Sequence, residues 1–411
     1  MNPSDRPTDM TGTVIMKFGG TSVATEQGRA NIVARISAEL EKGIRPVVVV
    51  SAMGRKGDPY ATDTLLSLVD KDHCGAHETD MLMGVGEVIS SVVLATLLNK
   101  AGIKARAMTG MDAGILTDGV DGNATIKLID PAAIKKLLLE DTVPVVAGFQ
   151  GADKDGLLKT LGRGGSDTTA CALGAALGAE RVDIYTDVDG VFTADPRIIE
   201  DARVLERITA DELFQMAKHG SKVVHPSAAE LALGSGMSMR VRSTFNDFEG
   251  TEVVSLDVFR PDALATAVTI IPDVSRLCVK LPSDIEEPRI HMETQMKVYR
   301  LMADASISID MFTPLNDNLV FTVPADKAQR ALEIVRAEGL IASLRTRLGK
   351  VTLVGSGMQG IPGVMARVAT CLWDEGIDIL QVADSHATIS LLLNEDELVP
   401  AAKALHRAFE L

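Results

Sequence analysis

Two hydrophobic patterns divide the chain. Up to about residue 260, short β-branched runs alternate with longer segments of helical periodicity. Residues 47–50 and 143–147 are apolar throughout and lack the polar alternation of a half-exposed strand. Strands of this kind are covered on both faces, as in parallel sheets that lie between helices. The first part of the chain is therefore predicted to be an α/β sandwich with a mainly parallel sheet.

The C-terminal part carries an internal repeat. The segment DVFRPDALATAVT, with a proline and two acids, interrupts the first pattern near residue 260. Beyond it, VYRLMADASISIDMF from Val298 aligns with VATCLWDEGIDILQV from Val368, and NLVFTV from Asn318 aligns with TISLLL from Thr388, both at an offset of 70. Each copy predicts strand, helix, strand, strand and helix, most of a ferredoxin-like βαββαβ module. We expect two such modules, which serve either ligand sensing or only packing and dimerisation.

The composition predicts a globular protein of two or three domains. The 411 residues are 46% hydrophobic and 24% charged, which is enough apolar sequence for large cores. Fifty-six acidic residues against 41 basic ones give a net charge of -15, which repels phosphate backbones, and aromatic residues make up only 3%. Nucleic acid is not expected as a partner, and a phosphate-bearing ligand would need cations placed locally.

The cysteines and the N-terminal residues are typical of a cytoplasmic protein. Cys74, Cys171, Cys278 and Cys371 form no CxxC pair, so neither a disulfide framework nor a zinc ribbon is indicated. The opening MNPSDRPTDMT does not have the pattern of a signal peptide, and no apolar run approaches eighteen residues. We expect a soluble cytoplasmic protein with no membrane partner.

Two glycine-rich stretches predict close approach of the backbone to an anion. In KFGGTS a lysine ends an apolar run and two glycines follow it, an order that fits neither a P-loop nor a dinucleotide fold. In GRGGSDTTA, glycines precede Ser166 and Asp167, which can begin a helix whose N-terminus faces an anion. Two such stretches in one domain, each with a cation and hydroxyls, favour a phosphate site over ordinary turns.

Seven motifs occur in the order found in aspartate kinases. They are KFGGTS at 17–22, SAMG at 51–54, GE at 86–87, AGFQG at 147–151, GRGGSD at 162–167, YTDVDGVFTADPR at 185–197 and GSKVVHP at 220–226. Over residues 12–411 the chain resembles this family of the amino-acid kinase superfamily. The resemblance implies a three-layer αβα sandwich, the amino-acid kinase fold, over 12–260, followed by ACT modules at 265–345 and 346–411.

The resemblance implies transfer of the γ-phosphoryl group of ATP to the side-chain carboxylate of L-aspartate. The products are 4-phospho-L-aspartate and ADP, on the route to lysine, diaminopimelate, threonine and methionine. The nucleophile has an ordinary pKa of about 3.9 and is ionised at neutral pH, so no catalytic base is needed. Positive charge and N–H groups around the phosphates are needed instead. The alternatives are another amino-acid kinase of the superfamily and a non-catalytic amino-acid sensor.

Catalytic and nucleotide contacts also follow from the resemblance. Lys17 resembles the lysine that contacts the transferring phosphate, and Lys222 resembles a second phosphate contact. The implied catalytic residues are Lys17, Asp167 and Lys222. The implied ATP-binding residues are Lys17, Phe18, Gly19, Gly20, Ser51, Tyr185, Thr186, Asp187, Phe192, Asp195, Arg197, Ser221 and Lys222.

The amino-acid substrate needs a cation for its α-carboxylate and an anion for its ammonium group. Arg163 offers a bidentate fork and Glu87 an acceptor, and the resemblance assigns them these two roles. Glu87 stands among apolar neighbours, where a charge is costly unless a partner is bound. The implied aspartate-binding residues are Thr62, Glu87, Arg163, Gly164, Gly165, Ser166 and Asp167, with Asp167 orienting the ammonium group.

No protein ligand is predicted for a metal. Mg²⁺ is expected to bind mainly through the phosphate oxygens of ATP and water. The acidic run at 184–197 lacks the spacing and the terminal glutamate of a calcium loop. His73 and His77 have helical spacing, but Gly75 lies between them and no further ligand cluster is present in the sequence around them.

Two differences from lysine- or threonine-sensitive relatives concern regulation. The second module reads LQVADSHATIS at 380–390, and only that module keeps a Pro-Gly turn, at 362–363. Both features resemble the Bacillus-type isozyme that diaminopimelate inhibits. The resemblance implies meso-diaminopimelate as effector, with Asp384, Ser385 and His386 as candidate contacts, and a homodimer formed through the ACT modules.

Overall fold

The structure, a computed structural model, describes residues 12–70, 72–221, 223–254, 263–281, 288–315, 317–358 and 360–411. These residues form two compact units. The N-terminal unit contains 12–192, 204–218 and 223–254, and the C-terminal unit contains 193–203, 219–221 and the described residues from 263 onward. The segments 193–203 and 219–221 therefore group with the C-terminal unit, whereas the predicted range 12–260 includes them in the kinase domain. The end of that range lies outside the described residues.

The N-terminal unit alternates strands and helices. Its strands are β1 Thr13–Phe18, β2 Arg45–Val50, β3 Ala105–Met108, β4 Ile115–Thr117, β5 Ile126–Ile129, β6 Val143–Ala147, β7 Gln150–Ala152, β8 Leu158–Thr160, β9 Arg181–Thr186, β10 Arg207–Thr209, β11 Ser238–Ser243 and β12 Thr251–Val254. Its helices are α1 Gly20–Ala24, α2 Glu26–Glu41, α3 Thr62–Leu66, α4 Ala76–Lys100, α5 Ala132–Leu139, α6 Gly165–Leu177, α7 Ala210–Lys218 and α8 Pro226–Ser235.

A large, mainly parallel sheet organises this unit. Its strand order is β10-β12-β11-β9-β1-β2-β6-β3. The strands from β11 to β3 are parallel to one another, while β12 and β10 run in the opposite direction. A second sheet has the order β5-β4-β7-β8. The predicted α/β class with a mainly parallel sheet is confirmed.

Helices cover both faces of the large sheet. On one face, Val14, Met16 and Val48 pack with apolar side chains of α2 and α4. On the other face, where α6 packs, Ile15 and Val49 are fully buried. Because both faces are covered, the central strands carry apolar residues at consecutive positions instead of alternating with polar ones.

Helix α4 is, within the described chain, the one helix that is long and apolar enough to cross a membrane by length and composition. It packs against β3, β6 and β8 and carries the buried Glu87. Core helices pass the same test, so a single helix of this kind is weak evidence for a membrane span.

The C-terminal unit is built on an antiparallel sheet. Its strands are β13 Ala267–Lys280, β14 Asp310–Pro314, β15 Asn318–Pro324, β16 Ala342–Val354, β17 Gln381–Asp384 and β18 Thr388–Asn394. Its helices are α9 Pro288–Asp304, α10 Ala325–Ala337, α11 Val364–Asp374 and α12 Leu398–Ala408, with short 3₁₀ turns at Ser356–Met358 and Glu395–Glu397. The sheet order is β14-β15-β13-β16-β18-β17.

The repeat at an offset of 70 is visible in the structure. Strand β15 at Asn318–Pro324 corresponds to β18 at Thr388–Asn394, position for position. Val298 and Val368, at matching positions of α9 and α11, are both fully buried in separate cores. The predicted pair of βαββαβ modules is confirmed.

The two modules interleave through two long strands. Residues 274–279 of β13 pair with β15 and with the first half of β16, and so belong to the first module. Residues 267–271 pair instead with 350–354 of β16, which pair in turn with β18. The predicted range 265–345 therefore places residues 267–271 in the first module, whereas they supply the fourth strand of the second module. A strand that continues without a turn carries no sequence signal for such a division.

Candidate active site

A cavity of about 540 Å³ opens at the carboxyl ends of β1, β2 and β6 in the N-terminal unit. The carboxyl ends of neighbouring parallel strands meet at one edge of a sheet, which brings distant parts of the sequence together. Of the predicted site residues, the cavity gathers Lys17, Gly20, Ser51, Thr62, Glu87, Arg163, Gly164, Gly165, Ser166 and Asp167. Thr62 begins α3, and Ser51 directly follows β2.

Lys17 and Asp167 form an ion pair in this cavity. Lys17 lies on β1, between Val49 of β2 and Ile184 of β9 in the sheet register. Its Nζ is 2.6 Å from Oδ1 of Asp167, in the first turn of α6, and the two side chains are only 12% and 10% exposed. Water screens such a pair poorly, so Asp167 holds the ammonium group of Lys17 at the cavity and offsets part of its charge.

The glycines after β1 hold the chain against two neighbouring loops. The N–H of Gly19 donates to the carbonyl of Tyr185 (3.2 Å), and the N–H of Gly54 donates to the carbonyl of Gly20 (3.0 Å). A Cβ on Gly20 would lie 2.7 Å from the carbonyl oxygens of Ala52 and Gly54. Only glycine fits there, so the backbone of this stretch can lie beside the cavity.

The second glycine-rich stretch starts α6 inside the cavity. Gly164 precedes the helix with φ 72°, a left-handed conformation that favours glycine, and a Cβ there would also meet the ring of His225 at 2.0 Å. Gly165 and Ser166 follow and line the cavity. The N–H groups and the positive end of the helix dipole are thus available to an anion beside Lys17.

Glu87 is a buried carboxyl that faces the cavity from α4. It is 3% exposed, and the N–H of Ala52 donates to its Oε1 (3.1 Å). Its Oε2 is buried and has no hydrogen-bond partner among the described residues. Burial raises the pKa of Glu87 to about 8, since its charged form is poorly solvated there. A cationic ligand group would supply the missing partner.

Arg163 lines the same cavity and is exposed. It stands between Gly162 and Gly164, directly before α6. The cavity therefore presents a carboxyl from α4, a guanidinium from the loop before α6 and an ammonium group from β1. This charge set can hold a zwitterionic amino acid beside a phosphate.

Other predicted nucleotide contacts lie outside the cavity lining. The rings of Phe18 and Tyr185 stack on each other at 4.7 Å in the core, and the carbonyls of these residues accept from the N–H groups of Ser51 and Gly19. Thr186 ends β9, and Asp187 pairs with Arg55 at 2.5 Å. Phe192 is half-buried and forms a β-bridge with Val204.

The remaining predicted residues belong to the C-terminal unit or lie outside the described residues. Asp195 and Arg197 form an exposed ion pair of 2.6 Å, and they lie with Ser221 in the C-terminal unit. Lys222 lies outside the described residues. The effector candidates Asp384, Ser385 and His386 are exposed and lie at the turn between β17 and β18, where Ser385 Oγ is 2.8 Å from Thr388 Oγ1.

Several cavity residues were not predicted from the sequence. Met83 lies four residues before Glu87 on α4, a spacing that could have identified it. Phe149 belongs to the AGFQG motif and adopts a left-handed φ of 68°, a conformation that is strained in a phenylalanine and common at functional sites. The others are Ala52, Gly54, Asp63, Leu66 and Gly122, whereas Gly162 belongs to the glycine-rich stretch that was predicted to approach a ligand.

The residues that the structure describes include no group of three His, Cys, Asp or Glu side chains suited to a metal ion. His73 instead lies in a turn, with Nδ1 at 2.7 Å from Asp70 Oδ2.

Comparison with known proteins agrees with this geometry. The sequence profile of the Amino acid kinase family matches residues 12–243, and an ACT domain profile matches residues 343–407. The chain is 43% identical to Aspartokinase 1 of Bacillus subtilis over 407 residues, which cover 97% of this chain and 99% of that protein. It is 38% identical to the aspartokinase of Geobacillus stearothermophilus over 408 residues, with coverage of 97% and 98%.

The fold is also similar to that of a solved relative. The structure of E. coli aspartokinase III in complex with aspartate and ADP matches with a TM-score of 0.78 and 23% identity, over 97% of this chain and 100% of that one. At this identity the likeness concerns the fold. Because the kinase profile covers more than half of the sequence and the similarity to these two relatives runs nearly end to end, the chain belongs to the aspartokinase family.

Proposed function

We propose that the chain is an ATP-dependent kinase that transfers the γ-phosphoryl group of ATP to the side-chain carboxylate of L-aspartate. The observation that carries this proposal is the single cavity that joins Glu87 and Arg163 to the Lys17–Asp167 pair. Complementary charges for an amino acid and a cation for a phosphate lie side by side there. The product is 4-phospho-L-aspartate, an intermediate for lysine, diaminopimelate, threonine and methionine.

Aspartate is bound through its α-carboxylate and its ammonium group. The guanidinium of Arg163 takes the α-carboxylate through a bidentate pair, and Glu87 accepts from the ammonium group. Glu87 Oε2 supports this role because it is buried and lacks a partner among the residues described. Thr62, Gly164, Gly165, Ser166 and Asp167 complete the site, and Asp167 orients the ammonium group.

ATP lies toward β1 and the start of α6. Lys17 and the first N–H groups of α6 stabilise the negative charge on the transferring phosphoryl group. Phe18, Gly19, Gly20, Ser51, Tyr185, Thr186 and Asp187 form the nucleotide side, and we extend it to Phe192, Asp195, Arg197, Ser221 and Lys222 by family resemblance. The side-chain carboxylate of aspartate is already ionised at neutral pH, so this mechanism removes no proton before attack.

Mg²⁺ is the expected companion of ATP. A hard cation that keeps part of its hydration shell suits a site with few protein ligands, and when bound it neutralises charge on the phosphate oxygens. The described part of the cavity fits this arrangement, because two of its three carboxyls are already engaged, Asp167 by Lys17 and Oε1 of Glu87 by the N–H of Ala52.

Substrate choice tests the proposal. ADP release is measured with aspartate, glutamate and N-acetylglutamate as acceptors, each at saturating ATP. We expect rapid turnover with aspartate alone. Equal or better turnover with another acceptor would identify a different amino-acid kinase, and the absence of turnover with all three would favour a non-catalytic sensor.

Regulation is assigned to the C-terminal unit. We expect inhibition by meso-diaminopimelate, with Asp384, Ser385 and His386 as candidate contacts. Lysine and threonine are expected to be weak inhibitors when each is added alone. A solved E. coli relative binds lysine with aspartate in its T-state. An effector inhibits only through different affinities for two states. Kinase assays with each amino acid added separately at millimolar concentration identify the effector. If lysine alone inhibited the kinase and diaminopimelate had no effect, the assignment of diaminopimelate would be contradicted.

We further expect a cytoplasmic homodimer that assembles through the ACT modules. Light scattering with size-exclusion chromatography measures the mass of the full chain. A monomer at micromolar concentration would contradict this assembly without affecting the kinase assignment.

A further inference from the structure

Helix α4 carries a second buried carboxylate besides Glu87. Asp80 is fully buried and lies seven residues before Glu87, two helical turns away on the same face. The N–H of Gly122 donates to both oxygens of Asp80, at 3.0 and 3.2 Å. The hydroxyl of Thr160 donates to Oδ1 at 2.5 Å. The side chain of Asp80 does not line the cavity, so it acts through these two partners.

Both partners of Asp80 belong to segments that form the cavity. Gly122 is in the loop between β4 and β5 and itself lines the cavity. Thr160 is the last residue of β8, and Arg163 follows three residues later. The N–H of Ala124 donates to the carbonyl of Thr160 (2.8 Å), so the two segments are also joined to each other. Asp80 thus connects α4 to the loop that carries Arg163.

The surrounding charges reinforce this connection. Lys159, next to Thr160, is buried and pairs with Asp121, next to Gly122. Its Nζ is also 3.9 Å from Asp153. A buried carboxylate is costly unless donors satisfy it, and Asp80 receives three hydrogen bonds from these two segments. Replacement of Asp80 therefore weakens the attachment of both segments to α4 at once.

We propose that Asp80 is a positioning residue for aspartate binding, which fixes the separation between Glu87 on α4 and Arg163 after β8. The inference rests on the proposed function, since it takes these two groups as the ammonium and carboxylate contacts. The α-carboxylate and ammonium groups of an amino acid have a fixed separation, so both contacts form fully only when the protein groups match it. The phosphate side, built on β1 and α6, does not contact Asp80 and is expected to be unaffected.

The test is steady-state kinetics of Asp80→Asn in the full chain. The asparagine keeps the shape but replaces one acceptor oxygen by a donor, which faces Gly122 N–H or the Thr160 hydroxyl. We expect the aspartate KM to rise roughly tenfold, while kcat and the ATP KM stay within about twofold. Glu78→Gln, an exposed carboxyl on the same helix, is the matched control and should leave all three constants unchanged.

The Thr160 variants provide a second measurement that does not need Asp80→Asn to fold. Thr160→Val removes the hydroxyl donor and should raise the aspartate KM, whereas Thr160→Ser keeps the donor and should restore it. In the double variant of Asp80→Asn and Thr160→Val the effects should be smaller than additive, because both remove one interaction.

Two outcomes would overturn the inference. One is an unchanged aspartate KM in Asp80→Asn and Thr160→Val while Arg163→Ala raises it, a result that leaves the proposed function intact. The other is a similar impairment of kcat, of the aspartate KM and of the ATP KM, which would show that the effect of Asp80 is not confined to aspartate binding. If Arg163→Ala also left the aspartate KM unchanged, the proposed aspartate site itself would fail.

Discussion

The two units use their sheets in different ways. In the N-terminal unit, parallel strands end at one edge, where Lys17 and Ser51 meet Arg163 from the loop before α6. In the C-terminal unit, the antiparallel sheet carries the same 70-residue pattern twice, with a separate apolar core for each copy. Strand ends that meet at one edge form one site of mixed charge. The duplicated pattern instead forms two similar modules. Substitutions should therefore affect catalysis in the first unit and stability or regulation in the second.

The largest expected effect comes from the phosphate side of the first unit. Lys17→Ala should lower kcat by about three orders of magnitude with the fold retained, because a contact to the transition-state charge is lost. Circular dichroism checks the fold and a coupled ADP assay measures turnover. Lys100→Ala, at the exposed end of α4, is the control. Near-normal turnover in Lys17→Ala would remove this lysine from the site.

A smaller effect is expected on the amino-acid side. Arg163→Ala should raise the aspartate KM by about 10- to 100-fold and change the ATP KM much less, because a charged bidentate hydrogen bond is lost. Arg106→Ala on β3, also exposed, is the control. A collapse of ATP affinity instead would show that Arg163 contacts the nucleotide.

The pH dependence of aspartate binding follows from Glu87. Its pKa of about 8 in the ligand-free protein means that it is mostly protonated at pH 7 and must release a proton to bind an ammonium group. The aspartate KM should therefore fall by roughly tenfold from pH 6.5 to 7.5 and level off above pH 8. In Glu87→Gln the KM should be high and independent of pH. A flat profile in the unsubstituted protein would contradict this linkage.

The same carboxyl should also affect stability. The folded protein holds the proton of Glu87 up to about pH 8, while an unfolded chain releases it near 4.5. Its contribution to the free energy of unfolding is therefore fully present below pH 4.5 and is lost as the pH rises through 8. Glutamine does not ionise, so Glu87→Gln should not lose stability as the pH rises. At pH 8 the variant is therefore expected to have a higher melting temperature than the ligand-free parent.

The smallest effect tests the symmetry of the second unit. Val298→Ala and Val368→Ala remove equivalent, fully buried groups from the two copies. Each should lower the free energy of unfolding by about 2 kcal/mol, with little change in kcat at saturating substrate. Thermal and urea unfolding measure the loss. If only one variant were destabilised, the two copies would differ in packing despite their matching pattern.

Much of this architecture could be predicted because its signals are local. The alternation of buried strands and helices and the glycines around Lys17 and Arg163 are visible within short windows, and the repeat appears when the short segments from Val298 and Val368 are aligned. The role of Asp80 had no such signal, because its partners Gly122 and Thr160 lie 42 and 80 residues away. The division of β13 between two modules also depends on register with β16, which sequence patterns do not specify.

The shared strand has a consequence during synthesis. Residues 267–271 leave the ribosome early, but their partners at 350–354 follow about 80 residues later. At about 5–20 residues per second, the early segment waits several seconds as an unpaired edge. The first module can close before the second has a complete sheet, so the order of translation sets the order of assembly. A chain interrupted between the two copies would expose residues 267–271 as a site for aggregation.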